Sequence, residues 1–177
     1  MVKWGIDLGG TKIEAVVLDG QAKVLCRKRI DTEADGGYEH IIHRINLLVE
    51  EVTKEFGTPP QRVGIGTPGT MDPITNTMKN SNTTALNGKP FQQDLSKKLG
   101  IPVVMANDAN CFALAEARMG IVQEKMPEAS MVFGVIMGTG VGGGLVIDGK
   151  VWNGRQGIAG EWGHNFLDES GGPCYCG

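Results

Sequence analysis

Long apolar runs are missing from this chain. No stretch approaches the roughly 18 consecutive apolar residues of a membrane-spanning helix, so no membrane partner is expected. A basic excess is missing too. The 17 Lys and Arg stand against 20 Asp and Glu, the net charge is −3 and the pI is near 5.6. No general basic surface offers itself to nucleic acid. Cysteine is sparse, with only Cys26, Cys111, Cys174 and Cys176, and no stretch reads as a secretory signal. Disulfides are therefore not expected, and the expected location is cytoplasmic. No G-x-x-x-x-G-K-[ST] phosphate loop occurs, nor any short-period repeat.

Glycine is what the chain has in plenty: 27 in 177 residues, about twice the usual share. The glycines cluster at turns within apolar sequence, which describes a loop-rich globular protein. The length suits one large domain or two small ones and can bury roughly 70% of the unfolded surface.

Val2 to Leu8 and Ile13 to Leu18 read as two short strands joined by Gly9 and Gly10 in a tight hairpin. Lys23 to Ile30 reads as a third strand, its Arg27-Lys28-Arg29 a solvated edge. Ile41, Ile42, Ile45, Leu48, Val49 and Val52 recur at helical spacing, which predicts a helix from about Tyr38 to Phe56 that Gly57 ends. A short strand from Arg62 runs into the loop Gly66-Thr67-Pro68-Gly69. Thr75 to Asn82 reads as extended, Gln92 to Leu99 as a helix, and Pro102 to Met105 as a buried strand. An alanine-rich helix then runs to about Met119. The polar stretch 120–130 is the best domain boundary, giving domains 1–119 and 120–177. Beyond it come a strand from Met131 to Met137, a glycine loop over 138–144, a strand from Leu145 to Ile147, and an Asp148-Gly149 turn. This order of elements is α/β.

Several of these stretches carry chemistry. Gly9 and Gly10 let an anion approach the backbone, Thr11 adds a hydroxyl and Lys12 a cation, and Asp7 can hold a metal ion through water. The same residues suit an ordinary hairpin with a charged tip. Gly138, Gly140 and Gly143 match G-x-G-x-x-G, but the dinucleotide motif needs a helix to follow, and here a strand follows. What remains is a second strand–glycine turn–strand unit containing Thr139. Two such hairpins could clamp a polyphosphate, or be a coincidence of a glycine-rich chain. Asp108 sits where a strand ends and a helix begins. It can cap that helix, or accept a proton from a hydroxyl that attacks phosphorus. Glu161 and His164 lie three residues apart. His164, Cys174 and Cys176 can supply three zinc ligands, or the two cysteines are free thiols in a loop.

Taken together these motifs resemble one family. GIDLGGTK, GIGTPG, KNSNTTALNGKPF, ANDANCFALAEA, GTGVGGG, GEWGHN and PCYCG run along the whole chain in the order of the ROK family of sugar kinases. The resemblance is closest to its fructokinase (mannofructokinase) branch, with glucokinases and N-acetylhexosamine kinases as near neighbours. It implies the actin/hexokinase-like (ribonuclease H-like) ATPase fold, with two α/β domains of which the second is incomplete. It also implies an ATP-dependent hexose kinase that transfers the γ-phosphoryl to the 6-hydroxyl of fructose, with glucose or mannose as alternatives. By resemblance, Asp108 is the catalytic base. Gly69, Asn82, Asn107, Glu161 and His164 bind the sugar. Gly9, Gly10, Thr11, Lys12, Thr139 and Gly140 bind phosphates, and Asp7 lies near Mg2+. His164, Cys174 and Cys176 hold a structural Zn2+ whose fourth ligand is not in this chain. Hexose and ATP are the implied partners, and a homodimer is the implied assembly.

Family members are considerably longer, so weak or absent activity is expected of these 177 residues alone. A sugar-responsive repressor of the same family is the alternative, as is a non-catalytic sugar sensor. The repressors carry a helix-turn-helix module before the first strand, which here begins near residue 2.

Overall fold

The computed structural model of the chain describes residues 2–137, 140–166, 168–170 and 172. It divides into two compact units, Met1–Asp108 and Ala109–Gly177. In chain order the first holds strands β1 (Lys3–Leu8), β2 (Lys12–Leu18) and β3 (Val24–Asp31), helix α1 (Tyr38–Phe56), and strands β4 (Val63–Thr67), β5 (Thr70–Met71) and β6 (Met78–Lys79). Helix α2 (Phe91–Leu99) and strand β7 (Val103–Asn107) complete it. Helix α3 (Asp108–Met119) leads into the second unit, with helix α4 (Ile121–Lys125) and strands β8 (Met131–Met137), β9 (Val141–Ile147) and β10 (Lys150–Val151).

Five strands of the first unit form one sheet in the order β3-β2-β1-β4-β7. β1 and β2 alternate buried and accessible residues, which turns Trp4, Ile6, Leu8, Ile13, Ala15 and Val17 into the core. The same alternation sorts the basic triplet of β3. Arg27 and Arg29 grip Glu14 on β2, while Lys28 faces the other way and meets Glu51 on α1 at 3.1 Å. The six apolar residues expected along α1 are all buried, each such side chain worth about 1.5–3 kcal/mol of transfer free energy. Gly57 ends α1 in the left-handed region and donates its N–H to Thr53 at 2.8 Å.

β1 and β4 are parallel, as are β4 and β7. The segments that follow these three strands, 9–11, 68–69 and the start of α3, therefore leave the same end of one sheet. Open α/β sheets bind ligands at that end.

Two expectations change. The stretch 75–82 is extended only at β6. Asp72 accepts the Ile74 and Thr75 N–H groups at 2.8 and 3.0 Å, and Asn76 and Asn80 take positive φ, so the chain turns instead of pairing further. In the second unit the expected glycine loop is shorter, because Val141 to Gly144 already belong to β9. Gly143 and Gly144 answer to packing. A Cβ on Gly144 would strike the carbonyl of Ala109, and one on Gly134 would lie 2.8 Å from Cβ of Ala113, so α3 rests directly on the β8–β9 hairpin.

Candidate active site

The hairpin turn after β1 is braced from inside. Gly9 N–H donates to the Lys12 carbonyl at 2.9 Å. Thr32, fully buried at the end of β3, donates its hydroxyl to the Gly9 carbonyl at 2.7 Å and its N–H to the Thr11 carbonyl at 2.9 Å. The acceptors of the turn are thus largely engaged. Among the described residues no acceptor takes the Gly10 or Thr11 N–H. Neither Gly9 nor Gly10 adopts the left-handed region, although a Cβ on Gly9 would lie a tight 3.1 Å from the Lys12 carbonyl. A Cβ on Gly10 would meet only the Thr83 hydroxyl, at an ordinary 3.5 Å. Close approach by something outside the fold is a use for that space that the fold itself does not make.

Lys12 is engaged within the sheet. It pairs with Asp31 across the β2–β3 ladder, and this ammonium holds the Asp31 carboxyl below its ordinary range. Glu14 sits two residues on. Although burial works against it, the guanidiniums of Arg27 and Arg29 keep its carboxyl low.

Asp7 stands at the carboxyl end of β1, beside Gly66 of β4, which in turn registers with Ala106 of β7. Asp108 follows two residues after Ala106, as the first residue of α3. The Asp7 carboxyl is held above its ordinary range, first by lost hydration and then by the negative charges of Asp108 and Glu14, with Arg29 opposing. Two carboxyl groups close enough to feel each other are suited to share a divalent cation.

Asn107 is buried and donates its amide to the Gly69 carbonyl at 3.2 Å, tying the end of β7 to the loop after β4. Gly69 has φ +78°, and a Cβ there would collide with the Lys79 carbonyl and lie 2.7 Å from Ser81 N. The next loop is cross-braced. Ser81 N–H donates to the Asn87 side chain at 2.9 Å, whose amide returns a bond to the Ser81 carbonyl at 2.9 Å. Asn82 is exposed on this rigid loop.

In the second unit, Gly140 is exposed, with open space where a Cβ would be. Glu161 and His164 are exposed on a loop that Trp162 fastens to β9: its indole donates to the Gly142 carbonyl at 3.2 Å and its ring packs edge-on against Phe133. Thr139, Cys174 and Cys176 lie outside the described residues. Among the described residues no three His, Cys, Asp or Glu side chains gather as a metal-ligand group. The residues that sequence reasoning missed are Thr32, Thr83 and Trp162. Only Trp162 carried a signal, an aromatic residue set between glycines.

The family model described as ROK family matches residues 3–177. An N-acetyl-D-glucosamine kinase of Vibrio cholerae is 42% identical over 164 residues, covering 93% of this chain and 52% of that protein. The chain spans about half the length of the curated relatives it matches. Among solved structures, a ROK hexokinase from Thermus thermophilus superposes with a TM-score of 0.80 at 34% identity, covering 100% of this chain and 57% of that one. A ROK family glucokinase from Streptomyces griseus, in complex with glucose and AMPPNP, has a TM-score of 0.79 at 32% identity, covering 95% and 51%. These structures give the chain the actin/hexokinase-like ATPase fold. On the family match and these identities, the chain belongs to the ROK family.

Proposed function

We propose that the full-length protein is an ATP-dependent hexose kinase. The observation that carries this is the convergence, at one end of one sheet, of a turn with two N–H donors, the Asp7 carboxyl and the Asp108 carboxyl. Asp108 takes the proton from the sugar hydroxyl that attacks the γ-phosphorus. The phosphorus–oxygen bond to ADP breaks as the new one forms. Gly10 and Thr11 donate their N–H groups to phosphate oxygens and stabilise the charge that develops there. Bound Mg2+ neutralises phosphate charge. Asp7 would hold it through water, and its charge would offset the repulsion that Asp7 feels from Asp108.

The acceptor is a hexose of the fructose, glucose, mannose or N-acetylglucosamine class. The segments KNSNTTALNGKPF, AGEWGHN and PCYCG resemble the fructokinase (mannofructokinase) branch and support fructose ahead of glucose or mannose, and the similarity to N-acetylglucosamine kinases supports the last. Asn82, Asn107 and Gly69, with Glu161 and His164, are its proposed contacts. The resemblance adds a structural zinc held by His164, Cys174 and Cys176. Metal content of the wild type and of a Cys174→Ser variant tests it.

The experiment for the function is ADP release by the full-length protein over a panel of the four sugars. Release that depends on one of them is expected. A protein that binds sugar yet releases no ADP is a sensor, and one that instead retards genomic DNA fragments in a gel is a repressor. Either result overturns the kinase reading.

A further inference from the structure

Thr83 follows Asn82 on the cross-braced loop, and its backbone is fully committed. Its N–H donates to the Ser81 hydroxyl at 3.1 Å, and its carbonyl accepts from that hydroxyl at 3.2 Å and from Leu86 N–H at 3.0 Å. Its side-chain hydroxyl is different. Thr83 is only 6% exposed, and among the described residues no group hydrogen-bonds its Oγ1. A buried hydroxyl without a partner is costly and is rarely kept without a reason.

The hydroxyl faces Gly10, lying 3.5 Å from where a Cβ would sit. The carbonyls of Gly9, Thr11 and Lys12 are already engaged, by Thr32 and by Gly9 itself. Among the described residues, no donor reaches the Gly10 carbonyl. An unmatched donor thus lies beside the residue that carries an unmatched acceptor.

We propose that Thr83 is a positioning residue: its hydroxyl donates to the Gly10 carbonyl when the turn closes on the phosphates of a nucleotide. Closure would then leave every carbonyl of the turn engaged and direct the Gly10 and Thr11 N–H groups to the anion. It would also join the phosphate turn to the loop that carries Asn82, so that nucleotide and sugar act on one rigid segment. This rests on the kinase reading above.

The test uses MgATP and the full-length protein. Thr83→Val keeps the shape and removes the hydroxyl. Its melting temperature without ligand should equal or exceed that of the wild type, because a costly buried group is gone. Its MgATP affinity should fall about fivefold to tenfold, the worth of one hydrogen bond. Thr83→Ser should restore the affinity. Thr83→Ala, which also lacks the hydroxyl, provides the same comparison should the valine variant not fold. Wild-type affinity in the valine or alanine variant overturns the proposal, as does a serine variant as weak as valine. In those cases the kinase reading stands. A wild type that binds no MgATP removes both.

Discussion

Asp7 near the end of β1 and Asp108 just after β7, two strands separated by one other, are coupled: after lost hydration, the charge of Asp108 is the largest influence holding the Asp7 carboxyl above its ordinary range. A carboxyl raised in the folded state contributes stability that is fully present below its unfolded value and is lost as pH rises through its folded value. Asp7 therefore works against the fold at neutral pH. NMR titration should place the Asp7 midpoint above 3.8 in the wild type and lower in Asp108→Asn. Asp7→Asn should resist urea better than wild type at pH 7, with the difference shrinking toward pH 3. A midpoint that does not respond to Asp108 contradicts the coupling.

Gly10 separates what the fold needs from what a ligand needs. A Cβ there meets only the Thr83 hydroxyl at 3.5 Å, and the backbone is not left-handed. Gly10→Ala should therefore unfold within about 0.5 kcal/mol of wild type. MgATP affinity should nevertheless fall about tenfold or more, because the methyl group occupies the anion's approach. Unchanged affinity would show that the glycine serves the hairpin alone.

Thr32 tests the brace. Thr32→Val leaves the Gly9 carbonyl without the hydroxyl that reaches it at 2.7 Å. The loss should be about 1 kcal/mol in unfolding free energy, the net worth of a part-buried hydrogen bond. MgATP binding should weaken with it. Urea unfolding and calorimetric titration measure the two effects separately.

Gly69 is held at φ +78° with the Lys79 and Ser81 backbone against the place of a Cβ. Gly69→Ala should destabilise by roughly 1–3 kcal/mol from backbone strain alone, and more from the collision. Sugar affinity should fall with it, since the Gly69 carbonyl also holds Asn107. An alanine variant as stable as wild type would contradict this account of the loop.

How much of this was legible in the sequence depended on the range of the interaction. The face of α1 and its end at Gly57 were readable because helical spacing and a glycine cap are local signals. The hairpin of β1 and β2 was readable for the same reason. Thr32 was not. Its role comes from strand pairing that brings position 32 back to positions 9 and 11, and nothing near it in sequence records that. The pairing of Lys12 with Asp31 was not readable either, because it comes from the β2–β3 register, and register is a long-range property. The glycines of β9 were read as a loop because a strand pressed between α3 and the 160–163 segment must lack side chains, and so has the composition of a turn.

The most direct test of the central claim is the turnover of Asp108→Asn in the full-length protein, measured as hexose-dependent ADP release at saturating MgATP. Asparagine keeps the size of the side chain and removes its capacity to take a proton. The account predicts a fall in kcat of about 10²- to 10⁴-fold with MgATP affinity retained. Turnover close to wild type would contradict it.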